Sequence, residues 1–170
     1  EHYYLQGHYS EAAKAFDQGH KANKNHARSE VGLLLSDLAS GIGLDARLAN
    51  IETSLKSLQE LPSEKKPRFI EALIVFAEAE LLTLKGQTTQ AVNLYNKAFG
   101  IYSAPMIQAR LGKVATEHER WSESIRYLEP LAKPPYPSLQ AVIDIGQAYV
   151  GKKQYAQAEK ILGVLETLVP

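Results

Sequence analysis

The sequence predicts an all-α fold in which antiparallel helix pairs stack side by side into a solenoid. Three observations carry that expectation. Ala91, Tyr95 and Ala98 recur at spacings of four and three, which places them on one face of a helix. The same triplet spacing returns at Ala12, Phe16 and Gly19, at Ser124, Leu128 and Leu131, and at Ala158, Leu162 and Leu165. From Ala91 to Ser124 is 33 residues and from Ser124 to Ala158 is 34, a period that belongs to repeats of helix pairs.

Taken in order, the elements follow from local chemistry. Glu1 to Gly7 reads as the last turns of a helix whose beginning is missing, so the chain reads as a piece of a longer protein. Ser10 is an N-cap candidate for a helix carrying Ala12, Ala15, Phe16 and Gly19, stopped at Asn23-Lys24-Asn25. Ala27 to Ser40 is the next helix, with Val31, Leu34, Leu35 and Leu38 on one side and Gly41-Ile42-Gly43 at its end. Asp45 can cap a helix with the stripe Leu48, Ile51, Leu55 and Leu58, which ends at Leu61-Pro62-Ser63. Ser63 to Pro67 is a polar connection, too short for a domain linker. Arg68 to Lys85 is strongly helical, with Phe69, Ala72, Leu73, Phe76, Ala79, Leu81 and Leu82. Gly86 breaks it, and the Ala91–Tyr95–Ala98 helix follows.

Pro105 fits the first turn of a helix whose Ile107, Leu111, Val114 and Ala115 face inward. Trp121 starts its partner, with Ile125, Leu128 and Leu131, which ends at Lys133-Pro134-Pro135-Tyr136-Pro137 because proline removes donors and fixes the backbone. Ser138 caps a helix carrying Leu139, Val142, Ile143, Ile145, Ala148 and Tyr149, and Gly151 breaks it. Gln154 to Leu168 is the last helix. No stretch reads as a strand. The expected organisation is one helical-repeat domain over 1–170, with approximate repeats 1–25 (partial), 26–62 (divergent), 68–103, 104–137 and 138–170.

Composition narrows the function classes. The chain has 170 residues, 45% hydrophobic and 22% charged, enough for a sizeable core. Lys plus Arg and Asp plus Glu stand at 19 each, so no basic field draws nucleic acid or anionic lipid. With no cysteine there is no disulfide, thiolate metal site or cysteine nucleophile. No apolar run spans a bilayer. A soluble protein of either cytoplasm or periplasm fits, and the repeat style has a bacterial look.

An enzyme needs convergent polar groups, and few are offered. His2, His8, His20, His26 and His118 form no pair at the i, i+4 spacing of a zinc helix, and read as exposed or turn residues. Gly41-Ile42-Gly43 lacks the third glycine, the strand and the lysine of a phosphate loop. His118-Glu119-Arg120 lies at a turn, and nothing about Ser36 with Asp37, or Ser122 with Glu123, asks for a Ser-His-Asp constellation. The expectation is no catalytic residue, no metal and no cofactor. Trp121, Tyr127 and Tyr149 read as packing residues, whereas Tyr102 and Tyr136 fall in connections and read as partly exposed.

At these residues the chain resembles the tetratricopeptide repeat family. Gly7, Tyr9, Ala12 and Phe16 match the second half of a repeat; Ala79, Leu82, Gly86, Ala91, Tyr95 and Ala98 match a nearly complete one. Leu111, Gly112, Ala115, Trp121 and Leu128 match a degenerate repeat, and Ile145, Gly146, Tyr149, Tyr155, Ala158, Leu162 and Pro170 a good one. The match is weak from Ala27 to Leu61. The resemblance implies a right-handed superhelix whose first helices line a concave groove for a protein or peptide partner. Groove positions would be Phe76, Glu80 and Thr83, then Met106, Ala109, Arg110, Lys113 and Thr116, then Gln140, Ile143, Asp144 and Gln147. Arg110 and Lys113, three apart, either share an acidic group or only solvate the face. The family's two-carboxylate clamp is not carried over, because Phe76, Glu80, Ala109 and Ile143 lack the required lysine and asparagine character and only Lys113 has it.

The last helix adds a second expectation. Ile161, Leu162, Val164, Leu165, Leu168 and Val169 exceed what one stripe needs, so the end of the stack, with Ile161, Val164, Leu165 and Leu168, would self-associate or continue into further chain. The favoured function is a non-enzymatic protein-interaction scaffold. The alternative is an accessory or regulatory region of a larger enzyme, secretion or envelope-assembly machine whose catalytic part lies elsewhere.

Overall fold

The computed structural model describes residues 3, 8–22, 27–40, 44–133 and 137–165, with only the backbone for 44–47. These residues form nine α-helices and no strand: α1 Tyr9–Ala22, α2 Ala27–Ser40, α3 Leu44–Gln59, α4 Arg68–Leu84, α5 Thr88–Ile101, α6 Pro105–Glu117, α7 Trp121–Leu128, α8 Leu139–Gly151 and α9 Tyr155–Leu162. Short 3-10 turns span Ser63–Lys65 and Glu129–Ala132. Several sequence expectations lie outside the described residues: the Asn23-Lys24-Asn25 stop, the Gly41-Ile42-Gly43 turn, Tyr136, Leu168 and Pro170.

The chain forms two compact units, residues 1–104 and 105–170, divided where one expected repeat gives way to the next. In the first unit α1 pairs with α2, α4 pairs with α5, and α2 packs on both α3 and α4. α2 is therefore buried over much of its circumference: Ser29, Val31, Gly32, Leu34, Leu35, Ser36 and Leu38 are all inside. The Ser36 hydroxyl, with no water to bond, donates to the Gly32 carbonyl at 2.9 Å. In the second unit α6 pairs with α7 and α8 with α9, and α8 packs on both α6 and α7. Its core holds Leu128, Ala132, Ala141, Val142 and Ile145.

The hairpins are held by close approach. A Cβ built on Gly112 would lie 2.3 Å from Leu128, and one on Gly146 would lie 2.5 Å from Leu162. Gly32 stands in the same relation to the ring of Phe16, at 2.4 Å. In all three cases a missing side chain on one helix admits a large one from its partner.

The turns share a single geometry. Gly86, Glu119 and Lys153 adopt left-handed φ values of 74°, 56° and 59°. The next amide in each case reaches back across the helix end: Gln87 N–H to Leu82 O at 2.9 Å, Arg120 N–H to Ala115 O at 2.8 Å, and Gln154 N–H to Tyr149 O at 2.8 Å. This is the Schellman closure, which satisfies carbonyls that a helix end leaves open. α8 ends at Gly151 as expected, and the left-handed position falls two residues on, at Lys153. A Cβ on Gly151 would meet the Trp121 indole at 2.4 Å, so this glycine makes room for a packed ring.

Other differences are small. α1 begins at Tyr9, with the Ala12 amide bonding the His8 carbonyl, so Ser10 lies inside the helix rather than at its cap. α3 begins one residue ahead of Asp45. α9 closes at Gly163, whose amide bonds the Glu159 carbonyl, and Leu165 is helical again at the end of the described residues. Ser138 does cap α8, accepting from the Ala141 amide at 3.4 Å.

The turn geometry makes a test. Nothing lies within contact of a Cβ at Gly86, so Gly86→Ala should cost only the left-handed strain, about 1 kcal/mol. Glu119→Gly and Lys153→Gly should each gain up to about 1 kcal/mol by removing it, less the added freedom of the unfolded chain. Urea denaturation midpoints measure all three; a stabilising Gly86→Ala would contradict the shared turn.

Candidate functional site

The second unit brings together the densest group of the expected site residues. On α6, Arg110, Lys113 and Glu117 lie on one face by helical spacing. On α8, which packs on α6, Gln140, Ile143, Asp144 and Gln147 do the same. Lys113, Glu117, Gln140 and Gln147 are exposed, Arg110 is half-buried, and Ile143 is 39% exposed.

Asp144 is different. It is only 7% exposed, and its carboxylate accepts from Gln140 Nε2 at 2.8 Å. Burial raises its pKa above the ordinary aspartate value; the Gln140 hydrogen bond and the Lys113 charge oppose the shift, and Glu117 adds to it. Lys113 and Glu117 are thus electrostatically linked to Asp144 across two helices. Glu117 did not stand out in the sequence, although it sits four residues beyond Lys113 and so on the same face.

Next to this polar group runs an apolar ridge. Leu139, Ile143 and Val150 share one side of α8 and are all exposed, Val150 to 48%. Leu139 and Ile143 do not join the core. Ala141, Val142, Ile145 and Ala148 already occupy the buried face, and the ridge falls on the far side of the helix.

The remaining expected groove positions are engaged in packing. In the first unit Phe76 is 1% exposed and tilts against the Tyr95 ring, with centroids 5.6 Å apart. Tyr95 is itself 1% exposed, and its hydroxyl donates to Glu80 Oε1 at 2.9 Å while lying 2.8 Å from Thr83 Oγ1. Glu80 and Thr83 therefore satisfy a buried phenol, as such a group requires. Met106 and Thr116 in the second unit are buried, and Thr116 pairs with Ser124 at 2.6 Å. Ala109 is half-buried. Of the terminal residues, Ile161, Val164 and Leu165 pack half-buried on the core of the second unit.

Trp121 lies half-buried on Gly151, as a packing residue does, and Tyr102 is exposed. Among the described residues no group of three or more histidines and carboxylates could hold a metal ion. No described helix is long and apolar enough to cross a membrane. Compared with protein-family models, with curated proteins and with solved structures, the chain finds no match.

Asp144 gives this site a pH signature. A carboxyl whose folded pKa is raised favours folding while protonated, so its contribution is full below the unfolded value and is lost as pH rises through the folded one. Asp144→Asn should therefore be more stable than the parent at neutral pH, and the gap should close as the solution is acidified. Thermal melts of the two proteins across the acidic range measure it; a gap that stays constant with pH would contradict the burial-driven shift.

Proposed function

We propose that the chain is a protein-interaction module of the tetratricopeptide-repeat kind, whose helix pairs stack into a right-handed superhelix and which takes an extended peptide on the α6–α8 face. The repeat of residue types at 33 and 34 supports the family reading, as does the identical closure of three hairpin turns in the same register.

The observation that carries the binding reading is the composition of that face. An exposed aliphatic ridge at Leu139, Ile143 and Val150 lies beside a cationic pair, Arg110 and Lys113, with amide side chains at Gln140 and Gln147. Aliphatic pockets take apolar side chains, and amides bond an extended backbone. The two cations favour a carboxylate-bearing ligand. The Lys113 charge also acts on Asp144 from the neighbouring helix. Such a face suits recognition.

Selection from a phage-displayed random peptide library tests the reading. Peptides that combine acidic with leucine- or isoleucine-type residues should be enriched. Their affinity should fall about tenfold or more for the pair Arg110→Glu and Lys113→Glu, since bonds to charged groups are worth about 1.5–3 kcal/mol. Ile143→Asp should weaken them as well. Helix content by circular dichroism should be unchanged in each variant, because these side chains lie outside the core. Failure to enrich any peptide, or enrichment indifferent to these substitutions, would overturn the assignment.

A further inference from the structure

The α6–α8 face is apolar along one helix and charged along the other. α8 supplies Leu139, Ile143 and Val150, all exposed. α6, which packs on α8, supplies Lys113 and, one turn beyond it, Glu117, both exposed. The charges of Lys113 and Glu117 both act on Asp144, the residue after Ile143. That sets Lys113 beside the turn of α8 that holds Ile143. Gln140 and Gln147 are exposed on α8 as well. Gln140 gives its Nε2 to Asp144 at 2.8 Å, which leaves its carbonyl oxygen as an acceptor. The Gln147 amide offers both a donor and an acceptor.

The spacing along α8 decides what shape of ligand fits. Leu139 and Ile143 are four residues apart, about 6 Å along the axis at the helical rise per residue. In an extended chain the side chains of one edge recur every second residue, about 6.6 Å apart. The two repeats match, so an extended segment lying along α8 seats residues i and i+2 on Leu139 and Ile143. Its intervening side chains point the opposite way, and across the face the opposite way is α6. An acidic side chain therefore reaches Lys113 only from the second edge. A helical ligand suits the face less well, because its backbone groups are bonded internally and leave the Gln140 and Gln147 amides nothing to bond.

We propose that the face selects an extended segment with two chemically distinct edges. Two aliphatic side chains, separated by one residue, lie against α8. One acidic side chain, at an odd separation from both, lies against Lys113. Because Lys113 stands beside the Ile143 turn, the acid directly follows the aliphatic residue seated there. The pattern is aliphatic, any, aliphatic, acidic, or the same order reversed for a chain running the other way. Glu117 repels a second acid one step farther along α6. This register rests on the face being a peptide site.

Fluorescence anisotropy of labelled ten-residue peptides with the full chain tests it, using cores of a single composition. Leu-Thr-Leu-Asp-Thr and its reversed order Thr-Asp-Leu-Thr-Leu keep the two edges apart. Leu-Thr-Leu-Thr-Asp moves the acid by one residue onto the aliphatic edge. Leu-Leu-Thr-Asp-Thr splits the leucines between edges, and Leu-Thr-Thr-Asp-Leu sets them four apart as on a helix. The better of the first two should bind about tenfold or more tighter than each of the last three. Lys113→Glu should weaken the best peptide about tenfold and make its Asp-to-Lys analogue the tighter ligand, an exchange that a merely structural role would not produce. Lys160→Glu, at an exposed position of α9, should change neither. Equal affinities across the isomers, or a preference for leucines four apart, would overturn the register and leave the peptide reading standing. No saturable binding by any of them would overturn both.

Discussion

One steric relation sets the rest of the structure: a residue without a side chain on one helix faces a large apolar side chain on its partner. Gly112 with Leu128, Gly146 with Leu162 and Gly32 with Phe16 leave no room for even a methyl group. Protein interiors pack at crystal-like density, and forcing in an extra carbon typically costs about 1–3 kcal/mol. The relation fixes how near the two helices come, and with it which side chains are left on the outside. Gly112 and Gly146 are 34 residues apart, and so are Leu128 and Leu162, so the same contact is reproduced by the same register. Ala79 and Tyr95 hold the matching places in the hairpin of α4 and α5, 33 residues earlier. There alanine and tyrosine replace glycine and leucine, and the phenol needs Glu80 and Thr83 as hydrogen-bond partners. Glu80 and Thr83 are thereby tied to the core.

The surfaces available for recognition follow from that division. In α8 the buried face is taken by Ala141, Val142, Ile145 and Ala148, which turns Leu139, Ile143 and Val150 outward. Asp144 falls between the two faces, which is why it is buried, hydrogen-bonded to Gln140 and shifted in pKa at once. α2 illustrates the opposite outcome. It packs on three neighbours, α1, α3 and α4. On its α3 side a cavity of about 470 Å³ stays open, lined from α2 by Glu30, Leu33, Leu34 and Asp37.

Much of this was legible in the sequence because the signals are local and periodic. The stripes Val31–Leu34–Leu35–Leu38 and Ala91–Tyr95–Ala98 are buried as the spacing of three and four requires. Pro105 and Ser138 open their helices as their chemistry dictates. What escaped depends on contacts between distant residues. Gly151 ends its helix as it reads, but nothing local shows that Trp121, thirty residues away, takes the place of its side chain. Glu119 and Lys153 carry no mark of a left-handed turn; only the hydrogen bonds that close the helix end impose it. Phe76 and Met106, expected in a groove from their register, are buried, because burial depends on the neighbouring helix and not on the position alone.

The measurement closest to the central claim is a double-mutant cycle on one close contact, Gly112→Ala with Leu128→Ala, read by urea denaturation. Alone, Gly112→Ala should destabilise by about 1–3 kcal/mol through overpacking, and Leu128→Ala by about 2–5 kcal/mol through the cavity it leaves. Together they should cost less than the sum by about 1 kcal/mol or more, because the new methyl group enters space that the leucine has vacated. Additive effects would mean that the two residues do not share that space, and that the hairpins are set by something other than the small-to-large contact.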